Sequence, residues 1–232
     1  SAVGIQSKGM VSISGGAFHT SSVSAALQQA GTKEIVISGG THTWTATVAG
    51  YGNHSSGGLK LSESADVTVN APSGIQLLKD TKGGLEITGG SVKLNCTSVG
   101  IYSESGAGKT TISGGKVIIK DTGNKSSATG IDAAGVLEIG GTADVSFENC
   151  NYDIKSANND NKISGGKVTL SGSDRGLSVT GNFAMIGGEV ESSGDGYSLY
   201  GSDGTINLSG GSLNLSSSDY PIVAFKKCII DF

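Results

Sequence analysis

Three aspartates and one asparagine occupy matching turns in consecutive copies of a sequence repeat, and together they could hold a cation. They are Asn151, Asp174, Asp195 and Asp219, aligned three residues before the next strand anchor. If the copies stack about 4.8 Å apart, neighbouring carboxylates repel by roughly 1 kcal/mol in water and roughly 3.5 kcal/mol at a dielectric of 20. A bridging calcium ion would relieve this repulsion, as would raised pKa values or splayed side chains. Asp and Asn also favour turns for conformational reasons, so a metal-free turn is the alternative.

The single arginine of the chain, Arg175, lies inside this group of acids. A hydrolase would use Asp174 and Asp195 as its paired carboxylates. A surface ion pair that contributes little to stability accounts for the same residues without catalysis. The sequence leaves catalysis open and favours binding.

Tyrosines fall near the same turns and could contact a sugar. Tyr152, Tyr197 and Tyr220 lie beside the acids, and Tyr200 follows closely. An exposed row of rings could stack on sugar faces and donate hydrogen bonds from the hydroxyls. We expect Tyr200 to cap the core instead. Tyr152, Tyr197, Tyr220 and Arg175 are therefore the predicted carbohydrate-binding residues.

A repeat positions all these residues and is the strongest signal in the chain. Copies of the phrase I-S-G-G begin at Ile13, Ile37, Ile87, Ile112, Ile163 and Leu208, with variants at Ile139 and Ile186 and a worn copy at Leu61. The mean period is about 24 residues. Apolar residues alternate with polar ones after each glycine pair, which indicates strands. Another apolar anchor follows a glycine in each unit, as at Gly100-Ile101, so we expect about three short strands per unit.

The phrase S-G-G-x-V-x-L, followed by a turn and G-I, resembles the right-handed β-helix proteins of the polysaccharide-lyase-like superfamily. It is particularly similar to bacterial cell-surface carbohydrate-binding β-helix domains, and the resemblance covers nearly the whole chain. It implies an all-β fold, a right-handed parallel β-helix of about nine turns of roughly 24 residues. The family's acidic turn, S-G-D-G-I, is matched at Ser193-Gly194-Asp195-Gly196, where Tyr197 replaces the isoleucine.

The resemblance also implies a function, which is polysaccharide binding, often assisted by calcium. We expect the ligand to bind on one lateral face and to be an acidic glycan of plant or host origin. A calcium-dependent lyase of the pectate-lyase type is the first alternative. In that case Arg175 or Lys155 would be the base beside the calcium-bound acids. A structural stalk or adhesin repeat without a small ligand is the second alternative.

Composition excludes several other classes. The 232 residues carry a net charge of −4, so the chain lacks the basic surface that nucleic-acid binding needs. No apolar run approaches 18 residues, so membrane insertion is not expected. Three cysteines are too few for a disulfide framework. Low charge with abundant glycine and serine is typical of an extracellular or bacterial cell-surface protein.

The repeats predict a single β-helix domain over residues 1–232. The chain starts in mid-pattern without methionine, from which we expect a fragment or mature form of a longer secreted or surface protein. Both ends are apolar strand-like segments, and exposed end strands are prone to pair. We therefore expect flanking domains or end-to-end chain contacts to cover them.

Overall fold

The structure is a computed structural model that describes residues 2–53, 56–123, 127–158 and 160–232. Throughout these ranges the backbone forms strands and turns and no helix. Accordingly, none of the described residues belongs to a helix that is long and apolar enough to cross a membrane.

The described residues form 24 strands, numbered in sequence order. They are β1 (Ile5–Ser7), β2 (Val11–Ile13), β3 (Ala17–Ser22), β4 (Ala25–Gln29), β5 (Ile35–Ile37), β6 (Thr41–Ala46), β7 (Ala49–Asn53), β8 (Leu59–Leu61), β9 (Asp66–Asn70), β10 (Ser73–Leu77), β11 (Leu85–Cys96), β12 (Val99–Ser103), β13 (Thr110–Asp121), β14 (Thr129–Ala133), β15 (Leu137–Ile139), β16 (Asp144–Glu148), β17 (Tyr152–Ser156), β18 (Asn161–Leu170), β19 (Arg175–Val179), β20 (Phe183–Ser192), β21 (Tyr197–Gly201), β22 (Thr205–Leu215), β23 (Ile222–Ala224) and β24 (Lys227–Ile230).

These strands build two parallel sheets wound around one axis. Sheet A has ten strands in the order β1-β4-β7-β10-β12-β14-β17-β19-β21-β23. Sheet B has fourteen, in the order β2-β5-β8-β11-β13-β15-β18-β20-β22-β24 with β3, β6, β9 and β16 alongside. Each turn of the chain adds one strand to sheet A and two strand segments to sheet B. In some turns the two segments join across the glycine pair into one long strand, as in β11 and β13. The predicted all-β parallel solenoid, with about nine turns of about 24 residues, is confirmed.

The interior is a set of apolar columns that run along the axis. The column predicted from the repeat reads Ile13, Ile37, Leu61, Ile87, Ile112, Ile139, Ile163, Met185, Leu208 and Ile230. In the coil that carries the variant phrase at Ile186, Met185 fills the column, whereas Ile186 pairs with Gly210 and is 51% exposed. Strand alternation decides this, because neighbouring residues point to opposite faces.

Glycine is required at two kinds of position. The second glycine of the pair adopts a positive φ, 77° at Gly115, which side chains rarely tolerate. The worn copy reaches a similar φ of 52° with Glu63. The glycine before the sheet A anchor is needed for space instead: a Cβ on Gly100 would lie 2.3 Å from Ile119 Cγ2 and 2.5 Å from the Gly130 carbonyl oxygen.

Replacing Gly100 with alanine should therefore destabilise the fold by about 2 kcal/mol, because backbone of the adjacent coil must move. Denaturant unfolding followed by circular dichroism measures this loss. Gly15→Ala is the matched control, since a Cβ there meets nothing within 4 Å. Equal stability of the two variants would contradict this account of the glycine column.

Candidate functional site

The outer edge of sheet A aligns the four predicted carbohydrate-binding residues in one column. Tyr152 pairs with Arg175, and Arg175 pairs with Tyr197. The rings of Tyr197 and Tyr220 are stacked, with centroids 6.4 Å apart and an interplanar angle of 7°. Tyr152, Arg175 and Tyr197 begin their strands, and Tyr220 lies two residues before β23, so in-register stacking brings together side chains far apart in sequence.

A second outward column runs beside the first and contains Lys155, Ser178 and Tyr200. The expectation that Tyr200 caps the core is wrong, because its side chain lies on this outer face and is only partly buried. Its ring centroid lies 5.5 Å from that of Tyr197. Alternation within β21 could have indicated this, since Tyr200 directly follows the buried Leu199.

Arg175 connects the rings of this cluster. Its guanidinium carbon lies 3.8 Å from the ring centroid of Tyr200 and 5.5 Å from that of Tyr152. The ammonium of Lys155 lies 4.0 Å from the ring centroid of Tyr152. Both contacts are cation–π interactions, which hold aromatic rings in defined positions. Tyr152, Lys155, Arg175 and Ser178 also line a shallow hollow of about 310 Å³.

Asp174 is engaged within the cluster. Its carboxylate lies 3.9 Å from the Nε of Arg175. It also accepts a hydrogen bond from the Tyr152 hydroxyl, which, with burial, raises the pKa of that tyrosine. The backbone N–H of Asp174 donates to the carbonyl of Asn151 on the preceding coil, at 3.0 Å. Asn151 and Asp174 are therefore neighbours, as predicted.

The predicted ladder of acids is broken at Asp195. We aligned Asp195 through Ser198, but Leu177 pairs with Leu199. The turn between β20 and β21 has the same length as the turn between β18 and β19, but Asp195 stands one residue earlier in its turn than Asp174 does. Gly196 therefore lies beside Asp174. Asp195 is displaced by one residue and lines a separate hollow of about 370 Å³ together with Glu148.

Asp219 keeps the predicted register, three residues before Ile222, and is exposed. The column therefore reads Asn151, Asp174, Gly196, Asp219. Across the described parts of the chain, no three side chains of His, Cys, Asp or Glu are grouped so that they could hold a metal ion. Calcium binding remains a prediction.

Sequence reasoning missed Asp153, a buried carboxyl next to Tyr152. It occupies the position that Gly130 and Gly176 fill on the adjacent coils. Its Oδ2 accepts hydrogen bonds from the backbone N–H groups of Ser171 and Gly172, the latter at 2.6 Å, while Oδ1 has no partner. Burial raises its pKa to about 8, although both hydrogen bonds act to lower it. The sequence did contain a signal for this residue, because an aspartate occupies a position that is glycine on both adjacent coils.

The titration of Asp153 should make stability depend on pH. Its ordinary pKa of 3.8 applies to the unfolded chain, and the folded value is about 8. The stabilising contribution of the retained proton is present in full below about pH 4 and is lost as the pH rises to about 8. Relative to Asp153→Asn, the wild type should lose about 6 kcal/mol over this range, since each pKa unit corresponds to about 1.4 kcal/mol, and denaturant unfolding at each pH measures the loss. Parallel pH profiles would show that this carboxyl does not titrate as described.

No protein-family profile matches this chain, and comparison with the curated proteins and with the solved structures found no significant match. The parallel β-solenoid architecture is therefore supported by the structure, and the resemblance to the polysaccharide-lyase-like superfamily remains a prediction.

Proposed function

We propose that this protein binds polysaccharide on the lateral surface formed by Tyr152, Arg175, Tyr197, Tyr200 and Tyr220, named here the tyrosine face. The observation that carries the proposal is the axial column of Tyr152, Arg175, Tyr197 and Tyr220. This column presents a tyrosine ring on three of four successive coils, and on the other coil Arg175 packs against the ring of Tyr200. A linear polymer of similar units can use the same contact several times along the axis.

The chemistry of the tyrosine face suits sugars. An aromatic ring offers an apolar surface for the C–H face of a pyranose, and a tyrosine hydroxyl adds a hydrogen-bonding group at its edge. Tyr220 is 66% exposed, and Phe225, whose ring contacts Tyr200 at 5.7 Å, is 69% exposed. Exposed aromatic groups of this size are typical of interaction surfaces.

Calcium assistance is a further part of the proposal. Asp174 and Asp219 lie on either side of Gly196 in the column, and that glycine has no side chain to fill the space between them. Carboxylate oxygens are the ligands that calcium prefers. In this proposal the ion joins the acids to sugar hydroxyl groups beside the tyrosine face.

The family resemblance and the glycine-rich, weakly charged composition support an extracellular or bacterial cell-surface location, where polysaccharides are available. Flanking domains or end-to-end contacts would then present the tyrosine face at the surface. Both statements belong to the proposal.

A glycan array tests the proposal, with the protein applied in calcium and in a chelator. We expect binding to one or more polysaccharides. Incubation with polygalacturonate tests the lyase alternative, since a lyase forms an unsaturated product that absorbs in the ultraviolet. Failure to bind any glycan would favour the stalk alternative and overturn the proposal.

Tyr197→Ala and Tyr220→Ala should each weaken binding of the best array ligand about tenfold, which corresponds to ~1.4 kcal/mol of lost stacking. Isothermal titration calorimetry measures the change. Tyr220→Phe should retain most of the affinity, because it keeps the ring.

Tyr102→Ala is the control for these variants, since Tyr102 also faces outward from sheet A but lies several coils away in β12. If Tyr102→Ala weakened binding as much as Tyr197→Ala, the tyrosine face would not be the site.

If calcium assists, a chelator should weaken binding by the wild type, and Asp219→Asn should show a smaller effect of the chelator. The reason is that Asp219 is an exposed oxygen ligand at the edge of the face. Asp66→Asn, which removes an exposed acid from sheet B, should respond to the chelator like the wild type. Unchanged affinity in the chelator would remove calcium from the proposal.

A further inference from the structure

Two cationic side chains, Arg175 of the tyrosine face and Lys155 beside it, each have an acidic neighbour. Arg175 lies at ion-pair distance from Asp174 and stacks on Tyr200. Lys155 pairs in register with Asp132 of the preceding coil and lies over Tyr152. Burial raises the pKa of the Asp132 carboxyl, and the charge of Lys155 opposes that rise, so the two groups interact. Neither cation faces the ligand side without a neighbouring acid.

Two further acids lie beside the face. Asp195 and Asp219 are exposed, and no ion pair is found for either within the described residues. With Asp132 and Asp174 counted against Lys155 and Arg175, the surroundings of the tyrosine face carry an excess of negative charge. An anionic polymer that approaches along the column would therefore be repelled at each charged unit.

We infer that the ligand of the tyrosine face is a linear polysaccharide of uncharged sugars and that polyuronates are disfavoured. This inference rests on the proposed function and specifies the chemical class of its ligand. Stacking and hydroxyl hydrogen bonds supply the attraction, and neither requires charge on the sugar. The cations are used within the protein, to hold the rings of Tyr152 and Tyr200 in place.

The inference departs from the simplest interpretation of the sequence, in which an arginine and a lysine near tyrosines would bind a carboxylated glycan. Asp132 and Lys155 are 23 residues apart and become neighbours because each directly follows an aligned anchor, Ile131 or Ile154, on consecutive coils.

Matched oligosaccharide pairs test the inference. Each pair has the same linkage and length and differs only in the group at C6, such as a β-1,4-glucan and the corresponding glucuronan, and several linkages are compared in a chelator. We expect neutral members to bind at least about tenfold more tightly than their acidic partners. Their affinity should change less than about twofold between about 0.05 and 0.5 M salt.

A charge variant sharpens the test. Asp132→Asn removes one negative charge and leaves Lys155 without its neighbouring acid. We expect affinity for the uronate members to rise about fivefold at low salt and affinity for the neutral members to stay within about twofold. Asp66→Asn on sheet B is the control for charge alone and should change neither.

Tighter binding of the uronate members by the wild type, in the chelator, would overturn the inference and leave the proposed function standing. An unchanged uronate affinity in Asp132→Asn would also overturn it. If no neutral or acidic glycan binds, the proposed function fails, and the inference fails with it.

Discussion

In-register parallel stacking of one coil on the next governs every other feature of this protein. Each outward side chain has as its nearest neighbours the equivalent residues one coil above and one coil below, about 4.8 Å away. Like charges in one column are therefore costly. On sheet B one column avoids that cost by alternation, and it reads Lys116, Asp144, Lys167 and Glu189. On sheet A, Asp174 has Asn151 and Gly196 as its column neighbours instead of two more acids.

The same constraint makes the tyrosine face possible. A tyrosine at one strand start contributes little area, whereas tyrosines at the start of several coils form a continuous surface. Arg175 interrupts that row, but its contact with Tyr200 places another ring over the same region. Its role in this arrangement is to position aromatic side chains. The guanidinium is suited to this because it is planar and stacks on rings while keeping its charge.

Stacking also leaves little space for additional side-chain atoms in the interior. The column of Gly100 and Gly130 passes so close to the core that an added methyl group would meet Ile119 and backbone. Asp153 lies in this column and keeps its proton far above the usual pH for a carboxyl. A buried acid with one unpaired oxygen reduces stability. It lies directly beneath the tyrosine face, between Tyr152 and Ile154, where a purely structural coil would have glycine.

The repeat period determined the architecture, because units of about 24 residues with alternating strands can bury their apolar faces only by stacking. It also indicated that Tyr152, Tyr197 and Tyr220 fall near the same turn of their coils, although the alignment through Asp195 left Tyr197 one residue out of the column. Register within a coil was decided by the tertiary structure. Asp195 stands one residue earlier than Asp174 in a turn of the same length and so lies outside the ladder, and strand phase places Met185 rather than Ile186 in the core. Repeat spacing cannot locate such differences, because they leave the period unchanged, and only the hydrogen bonds between coils show which residues lie side by side.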